Sequence, residues 1–164
     1  MKTLYIIRHG KSSWEVDFVE DIDRALTERG VRDAYTMGKR LKDRETIPEI
    51  IYSSPANRAI HTAIIMARVM QIPEDNILIR RGLYMAYKGD IKNIIDNTPE
   101  EISSLAIFGH NPSFGSLANK FLKEPLENLP TSGVIVLSFD IDSWKDISPE
   151  SVISEHVDCP KKKW

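Results

Sequence analysis

The 164 residues include 41% hydrophobic and 28% charged side chains, which is ordinary for a soluble globular protein and sufficient for one domain over residues 1–164. The 22 basic and 24 acidic side chains leave a formal net charge of −2, which argues against a protein that coats nucleic acid through a basic face. Net charge does not report how charges cluster, so a local cationic pocket remains open.

The cysteine content and the N-terminal sequence bear on the cellular compartment. Cys159 is the single cysteine, so no internal disulfide can form, and we expect it to be an inert tail position. The first apolar run is far shorter than the ~7–15 residues of a signal-peptide core, and no run approaches the ~18 apolar residues of a membrane span. We therefore expect a cytoplasmic protein with no membrane contact.

The first third of the chain predicts a strand followed by an amphipathic helix. Lys2–Ile7 is a short β-rich run that stops where a polar stretch begins. Thr27 is suited to cap a helix that continues to about Asp43. The apolar positions of this helix follow helical spacing: Val31, Ala34, Gly38 and Leu41.

A second strand and a second helix follow. Ile50–Tyr52 is expected to be a short buried strand that leads into "SSPANRAIHTAIIMARVM". Ser53 or Ser54 offers the N-cap of the helix, and Pro55 fits its first turn. One helix face is predicted to consist of Ala59, Ala63, Ala67 and Met70.

The remaining chain continues this alternation. Asp90 is expected to open a third helix, whose inward side chains are Ile91, Ile94 and Ile95. Three further strands are expected over Leu105–Phe108, Val134–Phe139 and Val152–His156. A fourth helix after the first of these presents one apolar stripe: Phe114, Leu117, Ala118 and Phe121. Alternating strands and helices favour an α/β fold with a largely parallel sheet.

Four basic or imidazole side chains occupy equivalent places in this pattern. Arg8 and His9 follow the first strand, Arg58 lies in the first helical turn after the second strand, and His110 follows a later strand. In open parallel sheets, ligands bind beyond the carboxyl ends of the strands, so these side chains are expected to converge. No carboxylate is interleaved among them, and the planar guanidinium forks suit a phosphate. We therefore predict a pocket for a phosphoryl group.

Other interpretations of the histidines are weaker. Two histidines without a third ligand at metal spacing, and with arginines beside them, do not favour a metal, so we expect neither a metal nor a cofactor. His9 taken alone could be a structural histidine, but Arg8, Arg58 and the "GHNP" motif argue against that role. His61, one turn after Arg58, is more readily solvated or packed than part of the pocket, and His156 is treated as structural.

The motifs "RHGKSSW", "DIDRALTERG", "SSPANRAIHTA" and "GHNP", in this order, resemble the histidine phosphatase superfamily and, within it, the short SixA-type phosphohistidine phosphatases. The resemblance extends to the late "SGVIVLSFDIDSW" and so covers most of the chain. It implies a phosphoglycerate mutase-like, three-layer α/β/α fold in a minimal version without a large lid insertion. Gly10, where this subgroup often has alanine, and Ala25, in place of a common proline, are small departures.

The resemblance also implies roles. His9 would attack phosphorus through an unprotonated nitrogen while its other nitrogen donates to a backbone carbonyl; Arg8 and Arg58 would clamp the phosphoryl oxygens, and His110 would be protonated or donating. Backbone amides around three further residues are candidate substrate donors, although packing is an equal role for the second: Lys11, Ser12 and Asn111. Trp14 is expected at the entrance or in the core.

The general acid of larger relatives, a glutamate, has no clear counterpart here. Tyr84 stands about where it would be sought, and Asp90 is the nearest carboxylate, although a capping role suits it better. A phosphoramidate such as phosphohistidine needs a strong acid less. The 52 positions from Arg58 to His110 also leave little chain for a lid, and an open pocket suits a phosphorylated side chain on a protein.

The sequence thus predicts a metal-independent phosphatase that hydrolyses phosphohistidine on a protein through a phospho-His9 intermediate. Its partner would be a signalling or phosphotransfer domain. The main alternative is a small-molecule phosphatase of the same mechanism, acting on a nucleotide or sugar phosphate, with Tyr84 or Tyr87 stacking on a base. An inactive phosphate-binding module and a mutase are less favoured. Arg80 and Arg81, expected beside the pocket, could recruit an acidic partner or form a solvated pair.

Overall fold

A computed structural model describes residues 1–45 and 47–162 and contains one six-stranded sheet. The strands are β1 (Lys2–Arg8), β2 (Ile50–Ser53), β3 (Ile77–Ile79), β4 (Ser104–Gly109), β5 (Val134–Phe139) and β6 (Val152–Asp158). Their spatial order is β3-β2-β4-β1-β5-β6; the first four are mutually parallel, and β5 is antiparallel to both of its neighbours. The predicted α/β fold with a mostly parallel sheet is confirmed.

Four helices cover the two faces of the sheet: α1 (Glu28–Asp43), α2 (Asn57–Met70), α3 (Lys88–Asp96) and α4 (Ser113–Asn119). Alternate residues of β1 belong to two separate apolar clusters. Leu4 and Ile6 pack with side chains of α3 and α4, whereas Tyr5 and Ile7 pack with those of α1 and α2. A parallel sheet with both faces buried gives three layers, as expected. Among the described residues, every helix is too short or too polar to cross a membrane.

The start of α1 agrees with the sequence pattern. Thr27 is the N-cap, and its hydroxyl accepts a hydrogen bond from the Gly30 amide at 3.0 Å. Ala34, Gly38 and Leu41 are buried, while Val31 is half-buried. Helix α1 is therefore seated on the sheet through the face that the periodicity indicates.

The start of α2 differs from the prediction. Neither Ser53 nor Ser54 is its N-cap; that position belongs to Ala56, in extended conformation, and the helix begins at Asn57. The Ser54 hydroxyl accepts instead from the Ala56 amide at 3.2 Å and contacts His110 Nε2 at 2.8 Å. The serine is thus committed to a histidine from another strand, which local sequence does not reveal.

The bounds of two other helices also differ from the prediction, and one strand is new. Helix α3 begins at Lys88 rather than Asp90, although the Asp90 carboxylate does cap it by accepting from the Tyr87 amide at 3.1 Å. Helix α4 ends at Asn119, so Phe121 completes the apolar stripe from beyond the helix. Strand β3 was not predicted, because its three residues are too few to show periodicity.

Candidate active site

The two central parallel strands place both predicted histidines at one edge of the sheet. Arg8, the last residue of β1, lies opposite Gly109, the last residue of β4. The next residues, His9 and His110, therefore leave the sheet together, and their ring centroids are 5.0 Å apart. Arg58, in the first turn of α2, completes a cavity of about 340 Å³ at this edge. We call Arg8, His9, Arg58 and His110 the pocket floor; the structure brings all four together, as expected.

The ring of His9 is buried and held in one orientation. His9 Nδ1 lies 2.6 Å from the Gly10 carbonyl, so Nδ1–H donates and Nε2 carries the lone pair. The Gly10 amide in turn donates to the Thr62 hydroxyl at 3.0 Å, and that hydroxyl donates to the Arg58 carbonyl at 2.6 Å. Helix α2 therefore fixes the backbone that orients the His9 ring.

Both histidines of the floor are neutral in this arrangement. Burial lowers the pKa of His9 to about 3; the hydrogen bond to Gly10 opposes this, whereas His110 and the guanidinium groups of Arg58 and Arg8 reinforce it. Burial and then Arg58 likewise lower the pKa of His110 to about 4. At pH 7 His9 Nε2 is therefore unprotonated, as a nucleophile requires.

His110 is held from two sides. Arg58 Nη2 donates to His110 Nδ1 at 3.4 Å, so in the neutral ring the proton resides on Nε2 and is directed to Ser54 Oγ at 2.8 Å. Of the two states that the sequence left open, a donating ring is the one present, but its donor is directed at Ser54. A bound anion would favour protonation of Nδ1 as well.

The guanidinium groups are only partly satisfied by the protein. Arg8 Nη1 donates to the Leu129 carbonyl at 2.9 Å. Arg58 Nη1 donates to the Asp21 carbonyl at 2.6 Å, and Nη2 donates to Asp21 Oδ2 at 3.0 Å. The buried Nε atoms of Arg8 and Arg58 have no hydrogen-bond partner among residues 1–45 and 47–162. Buried donors of this kind are stabilised by an oxyanion.

The expectation that the site holds no carboxylate is wrong. Asp21, on a short 3-10 turn (Asp21–Asp23), lines the pocket and accepts from Arg58, from Tyr84 Oη at 2.6 Å and from Arg24 Nε at 3.1 Å. Partial burial opposes ionisation, but Tyr84 and the two arginines outweigh it and lower the pKa of Asp21 to about 2. The one signal in the sequence for the ion pair of Asp21 and Arg24 was their short spacing within "DIDRALTERG".

The secondary site candidates are placed as follows. Lys11, Ser12 and Asn111 all line the cavity. The Ser12 hydroxyl accepts from Arg24 Nη1 at 2.9 Å, and Asn111 Nδ2 donates to the Leu129 carbonyl at 2.9 Å, so both side chains hold neighbouring loops. Their role as substrate donors stays a prediction. Trp14 lies exposed at the entrance, with the Arg24 guanidinium 3.4 Å from its ring centre.

Of the two candidates for the general acid, Tyr84 and Asp90, only the first lies at the pocket. Tyr84 lines the pocket, its ring lies edge-on to His110 at 5.6 Å, and the hydrogen bond to Asp21 raises the pKa of its hydroxyl. Asp90 does not line the pocket. Arg80 and Arg81 do not line the pocket either, and the Arg80 guanidinium stacks on Tyr52 at 4.6 Å; their recruitment of an acidic partner stays a prediction.

Two negative observations apply to the described part of the chain. His61 is exposed on α2 and does not line the cavity. Within residues 1–45 and 47–162, no group of three or more histidine, cysteine or acidic side chains is placed to hold a metal ion.

Comparison with known sequences agrees with this geometry. Residues 4–83 match the model of the histidine phosphatase superfamily (branch 1). A 2,3-bisphosphoglycerate-dependent phosphoglycerate mutase of Novosphingobium aromaticivorans is 36% identical over 80 residues, which are 46% of this chain and 35% of the mutase. The chain thus spans about a third of the length of such mutases. An uncharacterized protein of Mycobacterium tuberculosis is 29% identical in an alignment that covers 92% of this chain and 99% of the mycobacterial protein.

Comparison with solved structures covers more of the molecule. A protein of Agrobacterium tumefaciens assigned as phosphohistidine phosphatase SixA superposes with a TM-score of 0.77 and 28% identity. The superposition covers 84% of this chain and 92% of that one. The motifs, the fold and the paired histidines at the sheet edge agree with these matches: residues 4–83 match the histidine phosphatase superfamily, and the whole chain is similar in fold to the SixA structure.

Proposed function

We propose that this protein is a phosphatase that removes the phosphoryl group from phosphohistidine on another protein, through a covalent intermediate on His9 and without a metal ion. The observation that carries the proposal is the state of His9. A neutral imidazole, fixed by Gly10 through Nδ1, offers the Nε2 lone pair in a cavity lined with guanidinium groups. This is the environment that transfer of an anionic phosphoryl group to nitrogen requires.

The first step is phosphoryl transfer to the enzyme. The phosphoryl group enters between Arg8 and Arg58, whose buried Nε atoms have no other acceptor among the described residues. His9 Nε2 forms a bond to phosphorus as the bond to the leaving nitrogen breaks. The arginines stabilise the charge on the transferring oxygens, and preorganised donors of this kind each contribute on the order of 10²–10³ to the rate.

The second step is hydrolysis of phospho-His9. Water forms the new bond to phosphorus, the bond to Nε2 breaks, and inorganic phosphate leaves. Throughout both steps Nδ1–H remains on the Gly10 carbonyl. His9 therefore departs as a neutral ring and needs no separate acid. The first step likewise has less need of an acid, because the leaving nitrogen of phosphohistidine takes its proton readily whereas the leaving oxygen of an ester does not.

The surroundings of the pocket favour a protein substrate over a small metabolite. Two segments, residues 14–20 and 84–87, contribute Trp14, Tyr84 and Met85 to the lining of the cavity, and we call these segments the rim loops. They carry large apolar side chains that are exposed: Trp14, Val16, Phe18, Val19, Met85 and Tyr87. An apolar cavity of about 490 Å³, lined by Tyr87 and Pro112, adjoins the site through Met85, His110 and Asn111. Exposed apolar side chains beside such a cavity favour contact with a protein.

The alternative is a phosphatase for a small phosphorylated metabolite. It shares the chemistry of the pocket floor, so the floor does not discriminate. Small molecules are held by pockets that enclose most of their surface. Here Trp14, at the entrance, is 74% exposed, and Met85 and Tyr87 are each 80% exposed. This openness supports the protein substrate.

The test combines substrate choice with trapping of the intermediate. The wild-type protein should release phosphate faster from a phosphohistidine protein than from a panel of nucleotide and sugar phosphates, and chelator should not change the rate. Brief incubation with 32P-labelled substrate should label the chain through an acid-labile bond. His9→Ala should lose both label and turnover, while the matched control His61→Ala, on the exposed face of α2, should keep them. Preference for a metabolite, or turnover in His9→Ala, would contradict the proposal.

A further inference from the structure

Asp21 sits at the mouth of the pocket, where the proposed mechanism has so far given it no role. Of the described residues that line the pocket, it is the single acidic one. Its side chain is 48% exposed, whereas that of Arg58, to which it is paired, is 6% exposed. The carboxylate therefore lies between the buried floor and the solvent, on the side from which a substrate enters.

The bonding of this carboxylate leaves room for one more donor. Asp21 Oδ1 accepts from Arg24 Nε, and Oδ2 accepts from Arg58 Nη2 and Tyr84 Oη. An ionised carboxylate has about four lone-pair sites, of which these bonds use three. The three donors come from separate segments, so the position of the carboxylate is fixed before a substrate arrives.

The distribution of charge in the pocket favours a substrate that is anionic at one end and cationic at the other. The cationic side chains that line the cavity are Arg8, Lys11, Arg24 and Arg58. They suit the phosphoryl group. Arg58 Nη2 lies 3.0 Å from Asp21 Oδ2 and 3.4 Å from His110 Nδ1, so one guanidinium group separates the carboxylate from the histidine pair. A substrate that enters from the solvent and places its phosphoryl group at His9 keeps its leaving group on the exposed side of the pocket, where Asp21 lies.

We propose that Asp21 is the specificity-determining residue for the leaving group: its carboxylate accepts a hydrogen bond from the N–H of a protonated imidazole whose other nitrogen carries the phosphoryl group. This inference rests on the proposed function and specifies it. The substrate form selected is the phosphoimidazolium, anionic at phosphorus and cationic in the ring. The carboxylate stabilises the cation, which keeps the proton on the ring in the bound state.

The transfer step balances with this proton in place. His9 Nε2 forms a bond to phosphorus, and the electron pair of the breaking P–N bond returns to the leaving nitrogen. Since the other nitrogen of that ring already bears a proton, the leaving group departs as neutral imidazole. No proton moves during the step. The charge that was on the substrate ring is now on the phospho-His9 ring, whose Nδ1–H is held by Gly10.

In this scheme the protein provides a hydrogen-bond acceptor for the N–H group of each imidazole ring. The enzyme ring has the Gly10 carbonyl as acceptor for its N–H, and the substrate ring has Asp21. A phosphate ester cannot use this acceptor, because its leaving oxygen has no protonated ring nitrogen beside it. For an ester the same carboxylate is a nearby negative charge that opposes binding and competes for Arg58. Removal of the charge should thus have opposite effects on the two classes of substrate.

The experiment compares Asp21→Asn with the wild type on two small probes, phosphoimidazole and p-nitrophenyl phosphate. The ratio of their kcat/KM values is expected to fall about tenfold to hundredfold, because a charge-assisted hydrogen bond is lost with the first probe and repulsion is relieved with the second. A fall of the ratio by less than tenfold overturns the inference, since a carboxylate that merely positions Arg58 affects both probes together. Asp23→Asn, an exposed acid on the same turn, is the matched control and should keep the wild-type ratio.

A second variant and a second measurement keep the inference testable if Asp21→Asn folds poorly. Tyr84→Phe removes a donor that holds Asp21 and should lower the same ratio, by less than Asp21→Asn does. In Asp21→Asn the alkaline limb of kcat for phosphoimidazole should move to lower pH, because the bound ring loses its proton more readily. An unmoved limb overturns the inference. Because the probes are small molecules, failure with phosphohistidine proteins would contradict the proposed function and leave this result standing.

Discussion

The pocket floor and the rim loops meet at one cavity but are built by different means. Arg8, His9 and His110 are placed by strand register, and each lies at the end of a central strand or immediately after it. The rim loops carry exposed apolar side chains in segments that belong to no strand or α-helix. In the proposed function the floor provides the chemistry, and the rim contacts the protein that carries the phosphoryl group. Asp21, between residues 14–20 and the floor, connects the two.

The largest expected effect is on the floor. Arg58→Ala removes a phosphoryl clamp, a bond to His110 and both bonds to Asp21, so kcat should fall on the order of 10²–10³-fold for every substrate. Arg68→Ala, on the exposed end of the same helix, is the matched control and should retain wild-type kcat. Steady-state kinetics of both variants checks this. Equal losses in the two variants would mean that α2 had been disturbed rather than the site.

Loss of the hydrogen bond between the Gly10 amide and Thr62 of α2 should have the next largest effect. Thr62→Val leaves the buried Gly10 amide without its acceptor, which should lower the free energy of unfolding by about 1–3 kcal/mol and lower kcat as His9 loses orientation. Urea unfolding and steady-state kinetics measure the two quantities. Thr62→Ser keeps the hydroxyl and should recover most of both. A Thr62→Val protein with unchanged kcat would show that Gly10 is oriented without this bond.

The rim should affect recognition of a protein substrate. Phe18→Ser combined with Tyr87→Ser should raise KM for a phosphohistidine protein about tenfold relative to KM for phosphoimidazole, because apolar contacts with the protein are lost. Tyr35→Ser, an exposed aromatic on α1, is the control that should leave this ratio unchanged. If the combined variant and the control gave the same ratio, the rim would have no part in docking.

The pH dependence of stability concerns the folded state rather than the rate of the reaction. The pKa values of His9 and His110 lie below the unfolded value of 6.5, so the unfolded chain binds more protons as the pH falls below that value. The free energy of unfolding should be full above about pH 6.5 and should decrease toward pH 4. Urea unfolding at several pH values measures this. His9→Asn should flatten the dependence, and an equally steep curve would contradict the assignment of a neutral His9.

Much of the architecture could be predicted because it depends on local patterns. The apolar run at the start of the chain indicated β1, and helical spacing from Thr27 to Leu41 indicated α1 and its buried face. The positions of Arg8, His9, Arg58 and His110 followed from a general rule about parallel strands. The resemblance to a known family then narrowed the chemistry to phosphoryl transfer.

The errors concern side chains whose partners come from elsewhere in the chain. Ser54 looked like an N-cap but is bound to His110, 56 positions away. Asp21 was not predicted as a site residue, but it is held by Arg58 and by Tyr84, which lies 63 positions away. Apart from the spacing of Asp21 and Arg24, no local pattern reveals these partners. Their functions depend on which loops the sheet brings to the same edge.

By itself, the sequence determined the α/β pattern, the core faces of the helices and the four residues of the pocket floor, because periodicity and strand ends are local properties. The tertiary structure alone decided that His9 is neutral and oriented by Gly10, that Asp21 provides a countercharge at the pocket mouth, and that the exposed Trp14 and Met85, from remote segments, line the same cavity. Burial, charge pairing and surface clustering depend on distances between remote segments, and those distances exist only in the folded chain.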